Sequence, residues 1–264
     1  MSDDDDKLRL GGMALGNGLL VHGPTHWAAA VRRRDGTIAT ASGAKPRFRR
    51  LDDVPGLRGV ARLGEAMAVI PLVKRRLPEA QLPFESTRVL GAAGAATLGA
   101  AVLRRRGAGS LAAEAGAAAI SLVPSLVALR GGELAQYHGA EHKAIGEYEH
   151  DGAEQPKEHD RCGSHLMTPL LMSNLAGAAL LRRVAEKPSP LATSAVAVAS
   201  LGVAVEVFGW TERHADTAAA RALKTPGHEL QRVLGTREPT EEQLEVGRAA
   251  LAAVLEAEGV SGHA

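Results

Sequence analysis

The stretch from Leu191 to Val205 reads LATSAVAVASLGVAV and carries no charged residue. Glu206 interrupts this apolar run, which then continues to Trp210, so the segment reaches the roughly 20 mainly apolar residues that a membrane-spanning helix needs. Its many alanines and glycines are only weakly apolar, but their small side chains let helices approach closely. The stretch therefore predicts a helix that spans a bilayer or lies inside an Ala-rich bundle.

Three further segments have a similar composition and predict helices of the same kind. They are Val89–Leu103, Gly107–Leu129 and Leu166–Leu181. Together the segments predict a mainly α fold, in which residues 57–212 form an Ala/Gly-rich helical membrane bundle. The mean hydropathy of −0.06 keeps a buried bundle open as the alternative. Basic residues flank several of the loops between the segments, so the positive-inside rule does not fix an orientation.

Residues 11–56 predict a small β-rich region ahead of the bundle. His26–Arg33 and Thr37–Ser42 have strand character, and Arg34-Asp35-Gly36 between them predicts a hairpin turn. The glycines that precede them do not follow the spacing of a dinucleotide-binding loop, which predicts backbone flexibility or close packing instead. Leu57–Leu77 then predicts a helix with one apolar side that lies in the membrane interface or packs on the bundle.

The two ends of the chain differ in character from the apolar region. Residues 1–10 begin with MSDDDDK and are interpreted as a leader or a cleavage tag. Residues 213–264 predict a soluble helical tail, in which Thr240 and Gln243 form a capping box at the start of a helix. The apolar face of that helix is expected to dock on the rest of the chain or on a protein partner.

Composition excludes several classes of function. The 264 residues suit one or two domains with a substantial core. A formal charge of +1 and an aromatic content of 3% offer neither the basic surface nor the stacking platform of a nucleic-acid-binding protein, so we expect no nucleic acid partner. A single cysteine excludes a framework of intrachain disulfides.

The motif that carries the chemistry is YHGAEHK, from Tyr137 to Lys143, which contains the order H-x-x-E-H. On a helix, His138 and His142 lie on the same face, so both imidazoles can bind one cation. Glu141 lies about 60° around the helix, where it could act as a general base. This order is the signature of inverzincin metalloproteases. The motif predicts a metal site, without establishing a protease.

A third metal ligand is expected from the polar loop predicted within residues 130–165. This stretch contains five of the ten histidines and the sole cysteine of the chain. His159 and Cys162 are the preferred additional ligands, because zinc accepts both imidazole and thiolate. Glu206 is a more distant candidate. The alternative interpretation is a solvated polar loop that binds no metal.

Helix geometry separates the other carboxylates of this stretch from the two histidines. Glu149 shares their side of the helix, but it lies roughly 10 Å along the axis from His142. It could join the same ion only if the helix ended early, near Gly146. Glu147 points to the opposite side and is expected to be solvated.

Several stretches resemble motifs of the YqhQ family of bacterial membrane proteins. The central one is Tyr137–Lys143 followed by Tyr148-Glu149, and His159–Gly163 resembles the family's His-x-Arg-Cys-Gly element. The other matching stretches are Gly11-Gly12 through Gly23-Pro24, the hairpin around Ala30–Arg32 and Asp35-Gly36, Arg58-Gly59, Pro226-Gly227 through Leu230-Gln231, Thr236–Pro239 and Glu245-Val246. The resemblance follows the family's order over nearly the whole chain.

The resemblance implies a multi-pass protein of the bacterial cell membrane, with the lipid bilayer as its partner. The family has no assigned function, and its members are described as predicted metal-dependent enzymes. The site residues at matching motif positions are His138, Glu141, His142, His159 and Cys162. This sequence has Met13 and Asn17 where the family usually has Gln and Glu. If that Glu contributes to a site, part of the site is altered here.

Two functions from different classes follow from these patterns. The first is a membrane-embedded hydrolase of unknown substrate, with Glu141 as its catalytic residue and a divalent metal, expected to be zinc, held by His138, His142 and a third ligand. The second is a non-catalytic integral membrane protein whose metal is structural or sensed. Four ligands that include His159 and Cys162 favour the second, whereas three ligands with an open position favour the first. The hydrolase is the preferred hypothesis.

Overall fold

The chain forms four strands and nine α-helices over the residues that the structure describes. The computed structural model describes residues 7–48, 58–107, 110–130, 132–185 and 188–260. The strands are β1 (Gly11–Leu15), β2 (Gly18–His22), β3 (His26–Arg32) and β4 (Ile38–Ala44). The helices are α1 (Arg58–Arg76), α2 (Thr87–Arg106), α3 (Leu111–Ser121), α4 (Val123–Leu129), α5 (Glu133–Glu149), α6 (Met167–Val184), α7 (Pro190–Arg213), α8 (Ala218–Leu230) and α9 (Glu241–Glu258). The acidic start of the predicted leader, residues 1–6, lies outside the described residues.

The four strands form one antiparallel sheet in the order β1-β2-β3-β4. The predicted hairpin is confirmed, because Arg32 pairs with Ile38 across a turn in which Gly36 has a φ of 86° that glycine adopts without strain. The sequence prediction missed β1 and β2, so the β-rich region is a four-stranded sheet rather than a hairpin. Gly18 lets β2 lie close to β3, since a Cβ there would be 2.1 Å from the Ala30 carbonyl oxygen.

Helices cover both faces of this sheet. One face packs against α1, and Leu20, Trp27, Val69 and Val73 belong to the buried cluster between them. The other face packs against α5 and α9, and its buried residues include Leu19, Val21, Ala28, Ala30, Val246, Ala250 and Val254. Burial on both faces explains why β2 and β3 are apolar along most of their length instead of alternating. We call the sheet together with α1, α5 and α9 the body.

The C-terminal helix α9 belongs to this body. It begins at the predicted capping box, in which the Gln243 N–H donates to Thr240 Oγ1 at 3.4 Å and the Thr240 N–H donates to Gln243 Oε1 at 2.9 Å. It ends at Gly259, which has a left-handed φ of 79°. Its apolar face docks on the sheet and α5 of the same chain, one of the two alternatives that the sequence left open. A protein partner at the remaining surface of α9 stays a prediction.

Two helical hairpins, α2 with α3–α4 and α6 with α7, form a second region that we call the lobe. Small residues lie where the helices of a hairpin meet. A Cβ added at Gly177 would lie 2.6 Å from Val196 Cγ1, and Ser173 Oγ donates to the Ser200 carbonyl at 3.1 Å. The buried residues of α2 and α3 are Ala96, Ala100, Ala113 and Ala117. The predicted apolar segments are therefore helical, and the second of them is divided at Leu122 into α3 and α4.

The lobe leaves its large apolar side chains exposed. Two of its stretches, Leu111–Leu129 and Leu191–Arg213, are long and apolar enough to cross a membrane, and only 11% and 17% of the most apolar part of each is buried. The exposed large side chains of the lobe are Leu90, Leu98, Val102, Leu111, Val123, Leu126, Met172, Leu180, Val184, Leu191, Val198 and Val203. The fold is thus mainly α with an N-terminal sheet. Two such stretches in the described part of the chain, rather than four, leave the predicted multi-pass bundle unconfirmed.

Candidate metal centre

Helix α5 places the two histidines of the motif on one face. The helix runs without a break to Glu149, so His138 and His142 are one turn apart, and the centres of their rings are 4.4 Å from each other. His142 is almost fully buried and His138 is half-buried. The prediction that these side chains share a face of a helix is confirmed. Their proximity allows both to reach the same cation.

Cys162 is the third residue of this cluster. It lies at the end of the loop that follows α5, and its Sγ is 3.4 Å from His138 Nε2. One nitrogen of each histidine and this sulfur all lie within 4.8 Å of one another. In a tetrahedral zinc site, a nitrogen and a sulfur ligand are separated by roughly 3.5 Å, given the usual Zn–N and Zn–S bond lengths. The three side chains are therefore close enough to converge on one metal ion.

The second nitrogen of each imidazole contacts a backbone carbonyl. His138 Nδ1 lies 2.8 Å from the Gly235 oxygen, and His142 Nδ1 lies 2.6 Å from the Lys157 oxygen. Because a carbonyl oxygen only accepts hydrogen bonds, both Nδ1 atoms must carry the proton and donate it. In a neutral imidazole held in this way, Nε2 keeps its lone pair. This orientation by an outer hydrogen bond is typical of histidines that bind metals.

A π-helical turn at Gln231–Gly235 provides one of these carbonyls and holds the loop that carries Cys162. The fully buried Gln231 accepts from the His159 N–H at 2.8 Å and donates to the Ser164 hydroxyl at 2.9 Å. Turns of this kind are frequent at functional sites. Sequence reasoning did not assign Gln231 or Gly235 to the site. The available signal was the match of Pro226–Gln231 to a family motif.

Glu141 lies beside the three ligands and is only 5% exposed. Burial raises the pKa of its carboxyl to about 7, an effect that His138 opposes and Cys162 reinforces. In the described part of the chain its carboxylate makes no hydrogen bond. A Cβ added at Gly12 of β1 would lie 2.7 Å from Glu141 Oε1, so the glycine lets the strand cover the carboxylate without displacing it. Glu141 is thus placed where it can exchange a proton.

The protonation of the ligands follows from the same burial. Burial lowers the pKa of the His142 imidazole well below its usual range, and His138 acts in the same direction. His142 is therefore neutral at pH 7, as a metal ligand must be. Burial raises the pKa of the Cys162 thiol, and the hydrogen bond from Ser164 opposes this rise. A metal that binds here would displace the thiol proton.

His159 lies next to the cluster without belonging to it. Its Nε2 is 3.1 Å from Glu149 Oε2, its Nδ1 accepts from the Arg161 N–H at 3.2 Å, and its ring centre is 5.5 Å from that of His142. Glu149 also forms an ion pair with the Arg161 guanidinium. Both ring nitrogens of His159 are engaged in this arrangement, and its role as a ligand stays a prediction. Glu206 is likewise outside the cluster, in α7.

A cavity of about 470 Å³ borders the cluster. Its polar wall contains the candidate metal ligands, Glu141, His159, Arg161 and Ser164. The remaining walls are mainly apolar, with His22 of β2 as a polar residue among them. They come from β1 and Leu10 before it, β2, α1, Pro83, the end of α4, and α5. They contain Leu10, Met13, Ala14, Leu20, Leu63, Ala66, Met67, Ile70, Pro83, Leu129, Leu134 and Ile145. A molecule in this cavity would contact the open side of the cluster.

Comparisons with known proteins identify a family of unknown function. Residues 130–257 match a family model described as a protein of unknown function (DUF1385). The chain is similar to the "Uncharacterized protein YqhQ" of Bacillus subtilis (strain 168), at 33% identity over 136 residues. This match covers 48% of the chain and 42% of the relative, so the chain spans less than half the length of the protein it matches. No solved structure matches the chain. Residues 130–257 therefore carry the domain of a YqhQ-like family whose function is unknown.

Proposed function

We propose that this protein is a membrane-attached, metal-dependent hydrolase whose centre consists of His138, His142, Cys162 and Glu141. The observation that carries the proposal is the convergence of three ligand atoms within 4.8 Å on the wall of a cavity. Both histidines direct Nε2 away from a backbone carbonyl, which supports a built ligand set rather than a chance cluster. The burial of Glu141 beside them adds a group that can transfer a proton.

The ligand set favours zinc among the divalent metals. Two imidazoles and one thiolate are ligands that zinc accepts, whereas magnesium and calcium require oxygen ligands. Catalytic zinc sites have three protein ligands and an open fourth position. In this protein the open position would face the cavity that borders the cluster.

A metal held by His138, His142 and Cys162 would supply a Lewis acid that lowers the pKa of a water molecule at the centre. Glu141 accepts the proton that the water loses, and the water oxygen forms a bond to the electrophilic atom of the substrate. As the bond to the leaving group breaks, Glu141 returns the proton to the leaving group. The step consumes one water and leaves Glu141 in its starting state.

The lobe supports attachment to the bacterial cell membrane. Its exposed Leu, Val and Met side chains need an apolar surrounding, and the acyl chains of a bilayer provide one. The 24 residues of α7 extend about 36 Å, enough for a hydrocarbon layer of about 30 Å. Each hairpin contains one of the two stretches that are long and apolar enough to cross a membrane. The hairpin turns carry basic residues that can bind lipid headgroups, namely Arg104–Arg106 and Arg182-Arg183. We propose that both hairpins insert and that the body stays on one side.

One observation favours a second function, a non-catalytic membrane protein with a structural or sensing metal site. The ring of His159 is only 5.5 Å from that of His142. If His159 released Glu149 and turned toward the cluster, four protein ligands would close the site. A closed site has no position for a reacting water.

Metal analysis of the detergent-purified protein tests the proposal and separates the two functions. We expect one zinc per chain in the wild type and a loss of zinc in His138→Ala, His142→Ala and Cys162→Ala. Glu141→Gln should keep the metal, because it changes the proton acceptor and no ligand. His159→Ala should also keep it if the site is open. Loss of zinc in His159→Ala would favour the closed site, and a wild type that binds no metal would refute both functions.

A further inference from the structure

The cavity beside the metal centre has a polar wall and apolar walls that meet at α5. His138, His142 and Cys162 lie on the polar wall together with Glu141. Leu134 and Ile145 lie on the same helix, α5, one on each side of the two histidines along the chain. A ligand that fills the cavity would therefore place a short polar part at the cluster and a larger apolar part elsewhere. The volume of about 470 Å³ lies within the range of small-molecule sites.

Helix α1 forms one of the apolar walls of the cavity, which we call the α1 wall. Leu63, Ala66, Met67 and Ile70 follow the i, i+3, i+4, i+7 spacing that places residues on one face of a helix. Met67 is 52% exposed although it lines the cavity, so it marks a place where the cavity reaches the surface. A methionine side chain is flexible enough to adapt to apolar groups of different shapes.

The cavity also reaches the junction between the body and the lobe. Leu129, on its wall, is the last residue of α4 and the last residue of one stretch that can cross a membrane. Pro83, also on its wall, lies four residues before the start of α2. Helix α1 contacts the other crossing helix, because a Cβ added at Gly59 would lie 2.2 Å from Val205 Cγ1. The cavity thus lies where the apolar surface of the lobe ends and the metal centre begins.

From this placement we infer that the substrate is a lipid-like amphiphile that enters the cavity from the bilayer. Its hydrolysable polar group lies at His138, His142 and Cys162, and its apolar chain lies along the α1 wall. This inference rests on the proposed hydrolase function and adds the substrate class. A soluble peptide or sugar would leave the apolar walls in contact with water, whereas an alkyl chain would cover them.

Binding of metal-chelating alkyl compounds to the zinc-loaded, full-length protein in detergent tests the inference. Acetohydroxamic, hexanohydroxamic and decanohydroxamic acids share one metal-binding head and differ only in chain length. Each buried methylene is expected to strengthen binding by up to roughly fourfold, so decanohydroxamic acid should bind at least about tenfold more tightly than acetohydroxamic acid. Zinc content is measured on the same samples, and calorimetry gives the affinities.

Two alanines of α1 provide a matched pair of variants. Ala66 lines the cavity and Ala68 does not. Ala66→Phe should fill part of the cavity and reduce the dependence of binding affinity on chain length. Ala68→Phe should leave this dependence unchanged. Leu126 lies in the same apolar stretch as Leu129, is exposed and does not line the cavity. In nanodiscs, Leu126→Glu should weaken binding of decanohydroxamic acid presented in the bilayer while leaving binding in detergent intact. This last comparison shows whether the ligand enters the cavity from the bilayer or from water.

The outcomes distinguish the inference from the function on which it rests. Full zinc binding with equal affinities for short and long chains would overturn the amphiphile and leave the metal centre in place. If the protein bound no zinc but still bound decanohydroxamic acid, and Ala66→Phe abolished this binding, the hydrolase would be refuted and a site for an apolar chain would remain. An effect of Leu126→Glu that is the same in detergent and in nanodiscs would contradict entry from the bilayer.

Discussion

The body buries large apolar side chains, whereas the lobe buries small ones and exposes large ones. In the body, the large residues Leu19, Val21 and Val31 are fully buried. In the lobe, Leu98 and Val184 are 69% and 84% exposed, while the buried residues of α2 and α3 are alanines. Water favours the first arrangement, because burial of large apolar side chains drives folding. The second arrangement fits an apolar solvent, in which small residues pack the helices and large ones face outward.

The difference predicts that equal truncations have unequal costs in the two regions. Leu19→Ala in the body should lower the free energy of unfolding by about 2–5 kcal/mol, because it leaves a cavity. Leu98→Ala in the lobe should change it by no more than about 0.5 kcal/mol in detergent, since its side chain already faces the solvent. Denaturant-induced unfolding of the purified variants measures both values. Equal losses in the two variants would show that the lobe has a packed core of the ordinary kind.

Metal binding should stabilise the body and leave the lobe unaffected. Zinc at about 100 times its dissociation constant is expected to add about 2.7 kcal/mol to the free energy of unfolding, and a chelator should remove this gain. The gain should be absent in His142→Ala. Hydrogen exchange with and without zinc locates the effect, and we expect protection in α5 and not in α7. Equal protection of both helices would mean that the centre holds the lobe and the body together.

Much of the fold and of the site was predictable, because the relevant patterns are local. The helical spacing of His138 and His142 requires only a periodicity, and the capping box at Thr240 requires only two side chains. The hairpin at Gly36 follows from a turn signal. Cys162 was a reasonable partner because it lies in the same polar stretch, although no spacing rule links it to His138.

The features that were missed depend on contacts between distant parts of the chain. Strands β1 and β2 contain glycines that allow close packing, as between Gly12 and Glu141. The sequence does not show which distant residue such a glycine will contact. The Gly235 carbonyl that orients His138 is a backbone group, and every residue carries one. Only the fold selects which carbonyl meets which imidazole.

A carboxylate at the end of α9 should make the stability of the body depend on pH. Glu258 accepts from the backbone N–H groups of Thr25 at 2.8 Å and of His26 at 2.7 Å, and from the Thr25 hydroxyl at 2.6 Å. Burial alone would raise the pKa of Glu258, but these hydrogen bonds outweigh it, so the net pKa is lowered. Its contribution to stability is therefore present above the unfolded pKa of about 4.3 and is lost as pH falls through the folded pKa.

Glu258→Gln should then cost about 1–2 kcal/mol near pH 7 and progressively less below about pH 4. Glu256→Gln is a suitable control, because Glu256 is exposed on the same turn of α9. Thermal unfolding of both variants and the wild type across this pH range measures the difference. A cost for Glu258→Gln that is independent of pH would contradict the role of the charge and leave only a packing effect.

Two glycines of the lobe differ in their surroundings: Gly177 lies at the contact between α6 and α7, and Gly91 lies on the outer surface of α2. A Cβ at Gly177 would lie 2.6 Å from Val196 Cγ1, and the stiff valine side chain can move little, so Gly177→Ala should cost about 1 kcal/mol. A Cβ at Gly91 would meet nothing within 4 Å, so Gly91→Ala should gain about 0.5–1 kcal/mol from helix propensity. Unfolding in detergent measures both changes. Opposite signs would show that the lobe is held by specific contacts between small residues, whereas a gain in both variants would mean that α6 and α7 do not pack at this seam.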